Sequence, residues 1–267
     1  MPAGARVLAA LCVWAVAALG QAGEAAPFRV FDGMNFAAKP DLRALGLLPI
    51  EIVYEASLFD PKSGPDGEVS PERLRAVGSR TAKSEIPVVL DVERWAGLPD
   101  ARNRYATLIA RVRRLNPERT FGYYAVVPKQ DYWRANSTVG GREFEQWKKE
   151  NDAMQVVADS VDVVYPSLYT FYDDPLAWVH YATANLREAR RIARGKPVIA
   201  FLWPMYHESN EALRGRYLSR EYWRIELDTA RRYADGIVIW GGGSTWNGNA
   251  PWWQETLLFL KSAQVGR

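Results

Sequence analysis

Past residue 27 the chain alternates two hydrophobic patterns. Short apolar runs rich in β-branched residues occupy 28–35, 51–59, 86–93, 121–127, 161–169, 197–206 and 236–240. Runs of this kind read as buried strands. Between them apolar residues recur at helical spacing: Tyr105, Leu108, Ile109, Val112 and Leu115; Val179, Ala182, Leu186, Ala189 and Ala193; Trp223, Leu227, Ala230 and Ala234; Trp253, Thr256, Leu257 and Leu260. Each set marks the buried stripe of a helix, so these residues are core. Ser70-Pro71, Asp174-Pro175, Ser219 and Pro251 supply the helix starts, as N-caps or as proline in the first turn. About seven strands separated by helices is the pattern of a parallel α/β fold.

A parallel sheet of this length forms either an open doubly wound sheet or a closed barrel. The open sheet carries a glycine-rich phosphate turn after its first strand. Here that strand ends Asp32-Gly33-Met34-Asn35, with neither G-x-G-x-x-G nor G-x-x-x-x-G-K-[ST]. Polar and aromatic residues gather instead where strand after strand ends, the active-site face of a barrel. The pattern therefore predicts a (β/α) TIM-like barrel with about seven parallel strands, as a single domain over 26–267.

Composition changes the picture little. Of 267 residues 48% are apolar and 24% charged, and the net charge of +3 is too small to argue for nucleic acid. The arginines of 111–114 and 187–194 recur at helical spacing, as on a solvated helix face. The N-terminus is more informative. Arg6, an apolar stretch over 7–19 and the small residues of Gly20-Gln21-Ala22 and Gly23-Glu24-Ala25 read as a secretory signal peptide, 1–25. The apolar stretch is too short to span a bilayer comfortably. The expectation is a secreted or periplasmic protein with no membrane span in its mature form. Cys12, the single cysteine, falls inside that peptide, so no disulfide is expected. Asn136-Ser137-Thr138 is a glycosylation sequon where the host glycosylates.

The chemistry centres on Asp91-Val92-Glu93, at the end of the run Ile86-Pro87-Val88-Val89-Leu90. Side chains two apart on a strand face the same way, with Cα atoms roughly 6.5–7 Å apart. The other strand ends supply Asp32 and Asn35, Tyr54 and Glu55, Tyr123 and Tyr124, Tyr165 to Tyr169, Trp203 to Tyr206, and Trp240. A cup of carboxylates, phenols and indoles suits a carbohydrate, whose apolar faces stack on rings and whose hydroxyls bond to acids. The 11 Trp and 13 Tyr residues supply those rings. Tyr169, Tyr206 and Trp240 fit the cup, while Trp178 and Trp223 fit helix seams. His180 and His207 are the only histidines and lack metal-binding spacing, and Gly241-Gly242-Gly243-Ser244 is no nucleophile elbow. No metal or other cofactor is expected.

Four motifs in order resemble the hyaluronidase family of glycoside hydrolases: Asp91-Val92-Glu93-Arg94-Trp95, Tyr165-Pro166-Ser167-Leu168-Tyr169, Pro204-Met205-Tyr206 and Ile237-Val238-Ile239-Trp240-Gly241. The resemblance covers roughly 28–262. It implies a distorted barrel and endo-hydrolysis of a polysaccharide containing N-acetylhexosamine. By motif, Glu93 resembles the general acid/base and Asp91 the carboxylate that orients the acetamido group. Tyr206 resembles the phenol bonding the acetamido oxygen, Tyr169 a second active-site tyrosine, and Trp240 the ring packing on the acetamido methyl. Tyr165, Tyr124, Trp203 and Asn35 complete the expected substrate contacts. Two departures bear on substrate. Val92 replaces the family's usual Trp. Trp203 replaces a basic residue, which leaves room for a less acidic glycan than hyaluronan.

The acid pair also constrains mechanism. A retaining enzyme with a protein nucleophile needs carboxyl groups on opposite faces of the sugar, about 5–5.5 Å apart. Two acids on one strand approach from one side, so the substrate acetamide is the expected nucleophile, Glu93 the proton shuttle and Asp91 its electrostatic partner. Burial and the Asp91 charge should raise the Glu93 pKa. Two alternatives stand beside this: a nucleophile or base from another strand (Asp32, Glu55, Asp173 or Glu208), and a glycan-binding protein without catalysis.

Overall fold

The strands of the protein, described here from a computed structural model covering residues 27–82 and 85–264, are β1 (Arg29–Ala37), β2 (Leu48–Pro49), β3 (Glu51–Tyr54), β4 (Val88–Asp91), β5 (Phe121–Tyr123), β6 (Ile199–Leu202) and β7 (Gly236–Thr245). The helices are α1 (Pro71–Thr81), α2 (Ala101–Leu115), α3 (Tyr132–Ala135), α4 (Arg142–Ala153), α5 (Gln155–Ser160), α6 (Pro175–Ala193), α7 (Arg220–Tyr233) and α8 (Pro251–Gln264). The signal peptide read over 1–25, with Cys12, lies outside the described residues. No helix among the described residues is long and apolar enough to cross a membrane.

Every ladder is parallel. One sheet runs β2-β1-β7-β6 and the other β3-β4-β5. The run predicted as a strand over 161–169 is the seam between them. It pairs through single parallel bridges, Tyr124 with Tyr165, Val164 with Val198 and Ser167 with Phe201. Backbone bonds from Ala125 N to Tyr165 O (3.0 Å) and from Phe201 N to Pro166 O (2.8 Å) tie it to both sides. Pro166 has no N–H to donate, which interrupts the ladder in mid-run. On the opposite seam β3 follows β2 directly, and Ile50 and Ile52 pack against the barrel interior. The result is a distorted (β/α) TIM-like barrel. The helices begin where the sequence places them: Ser70, Asp174 and Ser219 each accept a bond from a first-turn N–H, of Arg73, Ala177 and Tyr222.

Strand parity sets the two cores. Val88 and Leu90, Ile237 and Ile239, and Ala200 and Leu202 face the helices. Phe31, Val89, Tyr165, Ile199, Phe201 and Val238 fill the barrel interior. Side chains two positions further along an interior row stay on the interior side and emerge at the mouth: Asp91 after Val89, Trp203 after Phe201, Trp240 after Val238.

Gly122 shows how tightly the interior closes. A Cβ there would sit 2.4 Å from Val163 O and 2.5 Å from the Tyr165 ring. Gly122→Ala is therefore expected to destabilise the fold by about 1–3 kcal/mol. Tm should fall by about 2–4 °C per kcal/mol, measured by thermal unfolding; an unchanged Tm would show that Tyr165 has room to move.

Candidate active site

Asp91 closes β4, where its register partner is Tyr54 of β3. Beyond it the chain turns, and Glu55 holds the turn. The Glu55 Oε1 accepts the Glu93 N–H (2.7 Å) and the Arg94 N–H (2.6 Å), while Oε2 takes the Arg94 Nε at 3.1 Å. The Arg94 guanidinium is sandwiched further, 4.1 Å over the Phe59 ring and bonded to Ser63. Val92 points outward into the buried helix layer, its carbonyl capped by the Tyr105 hydroxyl at 2.9 Å. Asp91 and Glu93 are thus delivered to the same side, and both line the cup, close enough for each carboxyl to shift the other's titration.

The electrostatics of the pair differ from expectation in one respect. Burial, then the Glu93 charge, then the Glu55 charge push the Asp91 carboxyl up to about 7. Glu93 is also raised, by burial and by Glu55, while the neighbouring Asp91 pulls the other way. Both carboxyls are thus pushed toward the protonated form, and Asp91 is the more enclosed of the two. The pair titrates as a unit.

A cup of about 230 Å³ stands over the acids. Asp91, Glu93, Tyr124, Tyr169, Trp203 and Trp240, all read from the sequence, line it together. Tyr169 stacks on Trp240 with ring centroids 5.7 Å apart and meets Trp203 edge-on at 5.5 Å. Trp203 and Trp240 cross at 5.0 Å. The Tyr169 and Tyr124 rings lie side by side with centroids 5.8 Å apart, and the Tyr124 hydroxyl reaches Ser167 Oγ at 3.2 Å. Burial raises both phenols above their ordinary values, so both stay protonated donors.

Three other sequence-named residues are placed apart. Tyr206 lies beyond Pro204, where β6 has ended, and its ring joins the core outside the barrel. Its hydroxyl is bound to Asp173 and its ring packs edge-on to Tyr222 of α7. It does not line the cup. Tyr165 is fully buried, lower in the barrel, with its ring over Gly122 and the Arg29 and Asp162 charges nearest to it. Asn35 is exposed on the rim at the end of β1, paired with Gly242, and does not line the cup either.

The cup also contains residues the motifs did not select. Gln130 enters from the loop after β5, bonded to Ser167 Oγ at 3.1 Å, and His207 and Glu208 enter from the segment after β6. Tyr54 accepts the Trp240 indole N–H at 3.1 Å and fixes that ring at the mouth. Tyr54 carried a signal, because it sits at the strand end beside Asp91; Gln130 and His207 carried none. Of the four carboxylates proposed as opposing groups, Asp32 is paired with Lys39, Glu55 holds the turn and Asp173 holds Tyr206. Glu208 alone of the four lines the cup. Among the described residues no cluster of His, Cys, Asp and Glu is placed to hold a metal ion.

The architecture is a parallel (β/α) barrel with its polar constellation at the C-terminal mouth, where barrel enzymes keep their active sites. No protein-family model matches the chain. The curated hyaluronidase of Apis mellifera is 27% identical over 161 residues, 52% of this chain and 36% of that protein. The matched stretch thus spans about a third of the curated relative's length. A monoclinic crystal structure of bee venom hyaluronidase superposes with a TM-score of 0.63 at 16% identity, covering 89% of this chain and 97% of that one. The same enzyme in complex with a hyaluronic acid tetramer gives 0.57 at 18% identity, covering 89% and 96%. The chain is hyaluronidase-like in fold over most of its length and in sequence over half of it, in line with the four motifs.

Proposed function

We propose that the chain is an exported, endo-acting glycoside hydrolase that cleaves a polysaccharide containing N-acetylhexosamine, with retention, using the substrate's acetamido group as nucleophile. The observation that carries this reading is the adjoining pair Asp91–Glu93 in one cup with a wall of three stacked and crossed rings. Two carboxyls sharing one proton supply both states the reaction needs. When the proton passes to Glu93 it is delivered to the leaving oxygen, and the Asp91 carboxylate left behind stabilises the positive charge that develops as the acetamide closes on the anomeric carbon. Water then opens the cyclic intermediate with Glu93 as base. The ring of Trp240, pinned by Tyr54, offers a face to the acetamido methyl. The phenol role first read for Tyr206 passes to Tyr169, whose hydroxyl stands in the cup beside Tyr124 while that of Tyr206 is engaged by Asp173.

Glu208 supports a second reading. It is an exposed carboxylate on the cup wall, so it can serve as a base or nucleophile opposite Glu93. One experiment separates the two. The protein is incubated with hyaluronan, chondroitin, chitin oligomers and peptidoglycan, new reducing ends are assayed, and the anomer first formed is determined with and without a thiazoline that mimics the cyclised acetamide. The substrate-assisted reading expects the retained anomer, strong thiazoline inhibition and a Glu208→Gln variant within about tenfold of the parent, far from the 10²–10⁴-fold typical of a lost acid or base. An inverted product, or collapse of activity in Glu208→Gln, transfers the role to Glu208.

A further inference from the structure

A chamber larger than the cup lies on the other side of Glu93. It holds about 610 Å³, against about 230 Å³ for the cup, within the range of roughly 300–1,000 Å³ usual for ligand pockets. Glu93, Tyr124, Ala125 and Gln130 border both spaces, whereas Asp91, Tyr169 and Trp240 border the cup alone. Glu93 is thus a shared wall, with the acetamide side on its Asp91 face and the chamber on the other.

The chamber's chemistry is unlike the cup's. Ala96, Leu98 and Pro99, from the turn between β4 and α2, form one wall, and Val126, Ala153 and Met154, from the loop after β5 and the end of α4, form another. No tryptophan reaches it. Tyr105 contributes, but its hydroxyl is committed to the Val92 carbonyl. Lys129 at the edge is bonded to Glu150 at 2.9 Å, and Glu150 also takes both Arg134 guanidinium nitrogens. Arg102 stands exposed at the rim. A pyranose asks for flat ring faces and hydroxyl partners; these walls offer aliphatic surface, which rewards removal of apolar groups from water.

We propose that the chamber is a leaving-group subsite for an aliphatic chain, an alkyl or acyl group carried on the aglycone side of the scissile bond. This rests on the reading of Glu93 as proton donor, because the group that receives its proton lies on the face turned away from the acetamide. The preferred substrate is then an N-acetylhexosamine glycan whose leaving portion is acylated or lipid-linked. The aliphatic walls, with Lys129 and Glu150 at the edge paired to each other, agree with Trp203 standing in the cup where a charged polymer would be met by a cation.

Binding tests this without relying on turnover. Methyl, butyl and octyl β-N-acetylhexosaminides are titrated into the full chain by calorimetry. Kd is expected to fall with chain length, by up to about fourfold per methylene buried, with an increasingly negative heat-capacity change. Ala153→Trp, which puts an indole in the chamber, should erase the gain from octyl over methyl. A Kd that does not change with chain length in the parent protein, or no saturable binding of the octyl glycoside, overturns the proposal. So does an octyl advantage that persists undiminished in a folded Ala153→Trp variant, because the chain is then held elsewhere. Reducing-end assays on the four polymers run alongside. Cleavage with no chain-length effect ends the chamber proposal and leaves the hydrolase reading; chain-length-dependent binding with no cleavage of any glycan does the reverse.

Discussion

Glu93→Gln is expected to lower kcat on a susceptible polymer by about 10²–10⁴-fold, the usual contribution of a positioned acid or base, with KM changing far less. The exchange keeps the shape of the side chain. The turn that carries it is held through the backbone, by Glu55 on the Glu93 and Arg94 N–H groups, so the geometry should survive. Ring contacts from Tyr169, Trp203 and Trp240 do not involve residue 93, so ground-state binding should survive as well. What is lost is the transferable proton. The defect should therefore shrink on aryl glycosides whose leaving group departs without protonation. Hydrolysis undiminished in Glu93→Gln would remove Glu93 from the mechanism, and a loss expressed only in KM would make it a binding residue.

Asp91→Asn is expected to move activity and stability in opposite directions. Activity should fall by about 10²–10³-fold, as for loss of one preorganised electrostatic partner of the transition state. Stability at neutral to alkaline pH should rise. The sign follows from linkage. The carboxyl titrates near its ordinary value of roughly 3.9 in the unfolded chain and at about 7 in the fold. Between those values the native state binds more protons than the unfolded state, so stability declines as pH climbs through the window. Above pH 7 the folded protein carries an enclosed charge opposed by Glu93 and Glu55, and an amide relieves it. A gain of about 1 kcal/mol is the scale of such site-relieving exchanges, or roughly 2–4 °C in Tm for a chain of this size. Below the ordinary carboxylate range the advantage over the parent should vanish. The parent's kcat should itself decline as pH rises past about 7, when the pair's shared proton leaves. A variant that loses both activity and Tm above pH 7 would make Asp91 a structural residue.

Much of this was legible from single strands. The β-branched run before Asp91 identified a buried strand, and period-two alternation sent Asp91 and Glu93 the same way. The same parity carried Trp240 and Trp203 to the mouth, since Val238 and Phe201 fill the interior below them. The caps at Ser70, Asp174 and Ser219 were readable because capping is settled within one helical turn. The seam over 161–169 was less so. Its composition reads as a strand, yet Pro166 withholds the donor a continuous ladder needs, and only scattered bridges form.

Tyr206 and Tyr165 show where local reasoning stops. Both sit at strand ends by motif, and neither reaches the acids. Tyr206 follows Pro204, past the end of β6, so parity no longer governs it, and Asp173 from another segment takes its hydroxyl. Tyr165 obeys parity but lies too deep, in a hollow that Gly122 leaves for its ring. Gln130, His207 and Glu208 come from loops whose paths no periodicity describes.

By itself, then, the amino-acid order determined the parallel α/β alternation, the faces of its strands and helices, and the acid pair with the rings that stand over it. Each is a property of direction along one element, set by backbone geometry over a few residues. The tertiary structure alone decided depth and partnership: which tyrosine stands in the cup, which carboxylate clamps the turn, and that a second, aliphatic space opens beside Glu93. Those depend on the register between distant strands and on how loops pack around the mouth, and that information is spread across contacts far apart in the chain.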